Sequence, residues 1–199
     1  MDQETLFTGS KWDILKSLGS NPKSPIELAQ ESKTSVANIS QQLRLLEMAG
    51  IVTSERISNR DRGQPRIKYR IANERAYVIG AGTSFVEKGW MNLDPFRQCM
   101  LGCWLMAPAT TVKAIEEYII EIRRHIPNIS LILIDKKDIA GNSLIIATDD
   151  AGTKQTLTAK AGKGITLTIK TAKEASKLHA ADYSIIHDPS SIFSGKGGK

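Results

Sequence analysis

An α+β fold is predicted by three features of this sequence. Helical spacing of apolar residues governs residues 10 to 49, and alternation then takes over in "PRIKYRI". The last seventy residues switch between short strand-like and short helix-like runs. At 199 residues the chain can hold one large domain or two small ones, each with its own core.

The first helix is expected from about Ser10 to Leu18, with Trp12, Leu15 and Leu18 on one face and Gly19 as its stop. The second is expected over residues 25 to 32. Ser24 can cap it, Pro25 suits its first position, and Glu27 lies three residues after the cap, which completes a capping box. Ser35 caps a third helix that ends before Gly50. "IVTSERIS" and "PRIKYRI" then read as two strands joined by the turn-rich "NRDRGQP". In the second strand Ile67, Tyr69 and Ile71 point one way, and Arg66, Lys68 and Arg70 the other. Three helices followed by a hairpin with a basic tip is the order of a winged helix-turn-helix domain.

The third helix carries the functional signal. In "TSVANISQQLRLLEMAGIV" the residues Ile39, Leu43 and Leu46 form one stripe, with Val36 on its edge. The outward positions carry amides and hydroxyls where an ordinary surface helix carries Glu and Lys. Asn38 and Gln41 lie away from the stripe, with Ala37 and Gln42 beside them. Leu45 falls near the polar side and is expected to be covered where the wing strand returns. An amide presents a donor and an acceptor together, which matches N6 and N7 of adenine in the major groove. Ala37 is small enough to meet a thymine methyl. Charged side chains hold phosphates anywhere, whereas amides tell bases apart.

Charge points to the same partner. Residues 1 to 54 balance to −1, residues 55 to 70 to +4, and the whole chain to +6. Most of the excess is therefore one local field, of the kind that attracts a polyanion. An amide-rich helix can be a solvated face, and a basic hairpin can be a blunted edge strand. Both features in this order and spacing favour double-stranded DNA.

The same stretch resembles a known family. "SVANISQQLRLLEMAGIV" is similar to the recognition helix and following strand of the ArsR-like winged-helix regulators, and "GQPRIKYRI" is similar to their wing. The resemblance covers residues 8 to 72. It implies a DNA-binding transcriptional regulator, usually a homodimer, with Ser35, Asn38, Ser40, Gln41 and Gln42 at the major groove. Arg60 and Arg62 would be wing-tip contacts to the backbone or minor groove. Ala37, Arg44, Arg56, Arg66 and Lys68 complete the expected DNA-binding set. Metal-sensing members carry a cysteine pair at the start of the recognition helix, and these positions hold no cysteine here. No metal site and no cofactor are expected.

Beyond residue 72 the signals are plainer. "RAYVIGAGTSFVEKGW" reads as strand material broken at Gly80 and Gly82. Asp94 and Pro95 open a helix with Phe96, Cys99, Met100, Cys103 and Trp104 at helical spacing, ended by Pro108. A further helix over 111 to 126 carries Val112, Ile115, Ile119, Ile122 and Ile126, a seam for a partner helix or a sheet. Then come the strands "ISLILID" and "SLIIAT", a helix opening at Asp149 or Asp150, the strand "GITLTIK", the helix "AKEASKLHAA" and the strand "YSIIH". This is a small α/β domain. The expected division is 1–72 for the winged domain, 73–110 for a connecting and dimerising segment, 111–190 for the α/β domain, and 191–199 for a disordered basic tail.

Other chemistry finds little footing. Cys99 and Cys103 share a helical face and could offer zinc two thiolates. Their apolar neighbours and the lack of a nearby third and fourth ligand favour packing. His125, His179 and His187 are isolated, and "GAGTS" and "AGKGIT" complete no phosphate-binding pattern. No nucleophile or metalloenzyme motif is present, so a non-enzyme is expected. Two cysteines, no apolar run of bilayer length and no basic leader suit a cytoplasmic protein away from membranes.

The reading that emerges is a sequence-specific DNA-binding regulator, a homodimer, whose C-terminal domain dimerises or meets a small-molecule or protein effector. The alternative is a winged-helix docking module of a nucleic-acid-processing enzyme, or of a replication, defence or mobile-element accessory factor.

Overall fold

A 3-10 turn at Gln3–Phe7 and helix α1, Gly9–Ser20, open the chain in the computed structural model. The structure describes residues 3–7, 9–57, 66–138, 141–160, 164–189 and 192–193. The chain divides into two units, Met1–Glu74 and Arg75–Lys199. The segment 73–110, expected as a connector, thus lies almost wholly in the second unit, to whose core it contributes a helix.

In the first unit α1 runs through Gly19 rather than stopping there. Its buried residues are Ile14, Leu15 and Leu18, while Trp12 stays 45% exposed. The stripe at three- and four-residue spacing runs through Ile14, and Trp12 sits at its edge against the ring of Phe7. Helix α2, Pro25–Glu31, starts with the expected capping box. Ser24 Oγ accepts from the Glu27 amide at 3.3 Å, and the Glu27 carboxylate accepts from the Ser24 amide at 2.6 Å. Its end is closed by the amides of Lys33 and Thr34, which donate to the carbonyls of Gln30 and Ala29. This is a Schellman closure with Lys33 left-handed at φ 49°.

Helix α3, Val36–Met48, is capped by Ser35 and followed by Gly50 at φ 68°, where a side chain would be strained. Strands β1, Val52–Ile57, and β2, Arg66–Ile71, pair antiparallel with Val52 opposite Ile71 and Ile57 opposite Arg66. The turn expected at 59–65 lies outside the described residues. Lys23 adds a one-residue third strand, exchanging both backbone hydrogen bonds with Tyr69 at 3.0 and 2.8 Å. The Lys23 ammonium also donates to Glu31 and Ser17, tying α1, α2 and this bridge together. The core holds Leu6, Ile14, Leu18, Leu28, Ile39, Leu43, Leu46 and Val52. Each such Leu or Ile stabilises the unit by about 1.5–3 kcal/mol before entropy is counted.

The second unit begins with a hairpin, β3 Arg75–Gly82 and β4 Phe85–Asn92. Gly80 and Gly82 do not break the strand as expected; the turn is at Thr83 and Ser84. Both glycines lie beneath the Phe85 ring, so a Cβ there would meet it at 2.6 and 2.8 Å. Helix α4, Pro95–Met106, is capped by Asp94. Of its expected apolar face, Cys99, Met100 and Cys103 are buried, Phe96 packs at the margin, and Trp104 is 55% exposed. Helix α5, Val112–Glu121, is shorter than expected. A 3-10 helix, Arg123–Asn128, replaces its last turns and contains Pro127, whose missing N–H suits this break.

Strands β5 Leu131–Asp135, β6 Ser143–Ala147, β7 Thr166–Lys170 and β8 Tyr183–His187 form one sheet in the order β7-β6-β5-β8. β6 and β7 are parallel, joined through α6, Ala151–Ala159, which is capped by Asp150. The α5 seam meets a sheet, since Ile115, Ile119 and Ile122 share a core with Ile132, Ile134, Leu144 and Ile146. The expected helix at "AKEASKLHAA" is a single turn, α7, Ala172–Ala175, followed by a 3-10 turn at Ala180–Asp182. Within the expected tail, Phe193 is 1% exposed beside Tyr183, and the Asp188 carboxylate accepts from the Ile192 and Phe193 amides. Residues 191 and 194–199 lie outside the described residues.

Candidate nucleic-acid interface

The rotation of α3 about its axis is set by three side chains. Ile39, Leu43 and Leu46 are 0% exposed, so the remaining arc of the helix faces outward. On that arc Ser35, Ala37, Ser40, Gln41 and Arg44 are exposed, and Asn38 and Gln42 are half-buried. Leu45 is half-buried, and Val36 is 43% exposed at the stripe's edge. Apart from Met48, 76% exposed in the last turn, the outward face is polar and carries little charge.

Asn38 and Gln41, read from the sequence as a matched pair, have different surroundings. Asn38 Nδ2 donates to Thr34 Oγ1 at 3.1 Å, and Gln42 Nε2 donates to Asn38 Oδ1 at 3.4 Å. Asn38 and Gln42, four apart on α3, are neighbours, and Thr34 in the preceding turn extends their pairing into a continuous polar ladder. Sequence reasoning did not single out Thr34. Thr34 lies before the Ser35 cap, outside α3, so helical spacing gives no signal for it, and its bond to Asn38 comes with the turn that closes α2.

Strand β1 stands beside the end of α3. Ser54 on β1 donates to the Glu47 carboxylate at 2.7 Å. Tyr69 is opposite Ser54, and its phenol pKa is raised by burial and by the Glu47 charge, with Arg44 opposing. Residues opposite each other across an antiparallel pair share a face, and successive residues alternate. Arg56, opposite Ile67, therefore lies on the face of Val52, Tyr69 and Ile71, and is exposed near its outer end. Lys68, half-buried, is opposite Glu55 on the other face, where Arg70 and the position of Arg66 also fall. The expected wing cations are thus divided between two faces. Arg60 and Arg62 lie outside the described residues.

No comparable arrangement exists for metal chemistry among the described residues, which hold no group of three His, Cys, Asp or Glu side chains able to bind an ion. Cys99 and Cys103 are both 0% exposed. Burial pushes their thiols up to about 12 and about 11, which keeps them protonated, and Cys103 Sγ lies 3.6 Å from the Val112 carbonyl. No helix among the described residues is long and apolar enough to cross a membrane.

Residues 9–54 match the family described as bacterial regulatory protein, arsR family. The N-terminal segment is an ArsR-like helix-turn-helix. The match takes in α1, α2, α3 and the start of β1, and it covers less than half of the chain. It supports a DNA-binding regulator in general. No curated protein matches the chain.

Proposed function

We propose that this protein is a sequence-specific regulator that binds double-stranded DNA through α3 and its wing. The recognition segment 36–49 enters the major groove, and the basic stretch 56–70 meets the backbone or minor groove. The observation that carries this reading is the outward face of α3. A helix held by three buried residues offers hydroxyls, amides and one arginine to the outside, next to a strongly basic hairpin. Amides read base edges and the cations hold phosphates, so one element supplies discrimination and the other affinity. Catalysis is not part of this proposal. The protein acts by occupying its site.

A single recognition helix spans few base pairs, so the proposal includes a homodimer that reads two half-sites about one helical turn apart. The pairing surface is placed in residues 73–126. The buried faces of α4 and α5 serve their own core, which leaves Trp104, Leu105, Met106 and Ile120 as the exposed apolar surface of these helices.

The test begins with selection of bound duplexes from random DNA by the full-length protein. Asn38→Ala and Gln41→Ala are then measured against the selected duplex and a scrambled one. Ala is the best helix former and neither residue is in the buried stripe, so both variants stay folded. Each is expected to lose about one to two orders of magnitude in the ratio of specific to scrambled affinity. Folded variants that both retain the full ratio would sink the assignment of α3 to base reading.

A further inference from the structure

The polar ladder on α3 is more ordered than a solvated face requires. Asn38 carries two donor hydrogens and two acceptor lone pairs on its amide. One hydrogen goes to Thr34 Oγ1, and one lone pair of Oδ1 accepts from Gln42 Nε2. What remains on Asn38 is one donor and one acceptor side by side, the pair needed for adenine N6 and N7. The ladder thus turns an amide with several rotamers into one with a fixed aim.

Thr34 is itself held by backbone. Its amide donates to Ala29 O at 3.1 Å as the closing bond of the Schellman motif that ends α2. The motif requires a left-handed residue at Lys33, which adopts φ 49° despite its Cβ. Ser35 then caps α3 by accepting from the Asn38 amide at 3.2 Å. The turn between the helices thereby places the Thr34 hydroxyl one helical turn before the Asn38 side chain, at a position set by α2 rather than by α3.

We infer that Thr34 is a positioning residue for sequence reading, and that its hydroxyl orients the Asn38 amide before DNA arrives. This rests on the DNA-reading role proposed for Asn38. A side chain already in its bound rotamer loses little freedom on binding, whereas a mobile one costs affinity at that contact alone. Thr34 therefore acts on discrimination at the base pair read by Asn38, with phosphate-borne affinity left unchanged.

The experiment compares Thr34→Val, which keeps the shape and removes the hydroxyl, with Thr34→Ser, which keeps the hydroxyl. The full-length protein is titrated with the duplex selected by the wild type and with a scrambled duplex of equal composition. Melting curves accompany each variant. Thr34→Val is expected to reduce the specific-to-scrambled ratio about 3- to 10-fold, with scrambled affinity and melting unchanged. Thr34→Ser restores the ratio, and Thr34→Val adds nothing in an Asn38→Ala background. If Thr34→Val does not fold, Thr34→Ala takes its place with the same expectations. A full ratio in Thr34→Val while Asn38→Ala loses it overturns the positioning role and leaves Asn38 as a reader. A full ratio in Asn38→Ala overturns the reading on which the inference rests. Equal loss on both duplexes, or no rescue by serine, makes Thr34 merely structural and also overturns it.

Discussion

His187 shows how one side chain can set a pH dependence. It is 3% exposed at the end of β8, and among the described residues its ring nitrogens make no hydrogen bond of good geometry, the Ile129 backbone being only a weak neighbour. Burial lowers its pKa below the ordinary 6.5, although Asp188 and the Ile129 backbone act in the opposite sense. The unfolded chain therefore binds the proton first. The stability of the neutral buried ring is fully present above about pH 6.5 and is lost as pH falls from there toward the depressed folded value. The loss can reach about 1.4 kcal/mol per pH unit in that window. His187→Leu removes the titrating group, so its stability should depend less on acid than the wild type's. Melts of both proteins between about pH 7 and pH 5 check this. Parallel slopes would show that His187 does not titrate in that range.

At the scale of elements, α4 and β8 approach closely, and a glycine permits it. A Cβ at Gly102 would lie 2.4 Å from the Ile186 carbonyl oxygen, and a backbone atom cannot swing aside as a side-chain tip can. Helix propensity alone would favour Ala at this position by about 1 kcal/mol. The forced separation of helix and strand should outweigh that gain, leaving Gly102→Ala about 1–3 kcal/mol less stable. Gly89→Ala on β4 is the control, since a Cβ there has nothing within 4 Å. Denaturant titration of the two variants gives the comparison; equal stabilities would mean that the α4–β8 contact yields at little cost. The Phe85 ring over Gly80 and Gly82 is the same device in a hairpin, where the close neighbour is a side chain.

The whole molecule has two units, one with its core around the ArsR-like segment and one with a core on each face of the four-stranded sheet. In the function proposed above, the first supplies the DNA-facing helix and the second the partner surface. Light scattering should therefore find the full chain dimeric at micromolar concentration, and residues 1–74 alone monomeric. A monomeric full-length protein would count decisively against dimerisation through residues 73–126. The exposed Ile79, Val86, Leu105 and Met106 leave the second unit with apolar surface that a dimer could cover.

By itself the sequence determined whatever local chemistry controls. The capping box at Ser24 and Glu27, the caps at Ser35, Asp94 and Asp150, and the Ile39, Leu43, Leu46 stripe follow from neighbours within one or two turns. That α3 turns amides and hydroxyls outward follows from the same periodicity. Tertiary structure decided the rest. Ile14 rather than Trp12 enters the first core, because burial depends on what the other elements leave room for. Gly80 and Gly82 continue a strand because a ring from across the hairpin covers them. Strand register divides Arg56 from Lys68, although both lie in one basic stretch of sequence. Thr34 meets Asn38 through the end of α2, by a bond to Ala29 that helical spacing in α3 does not encode. Periodicity assigns a residue to a side of its own element; what that side meets is fixed only when the elements pack.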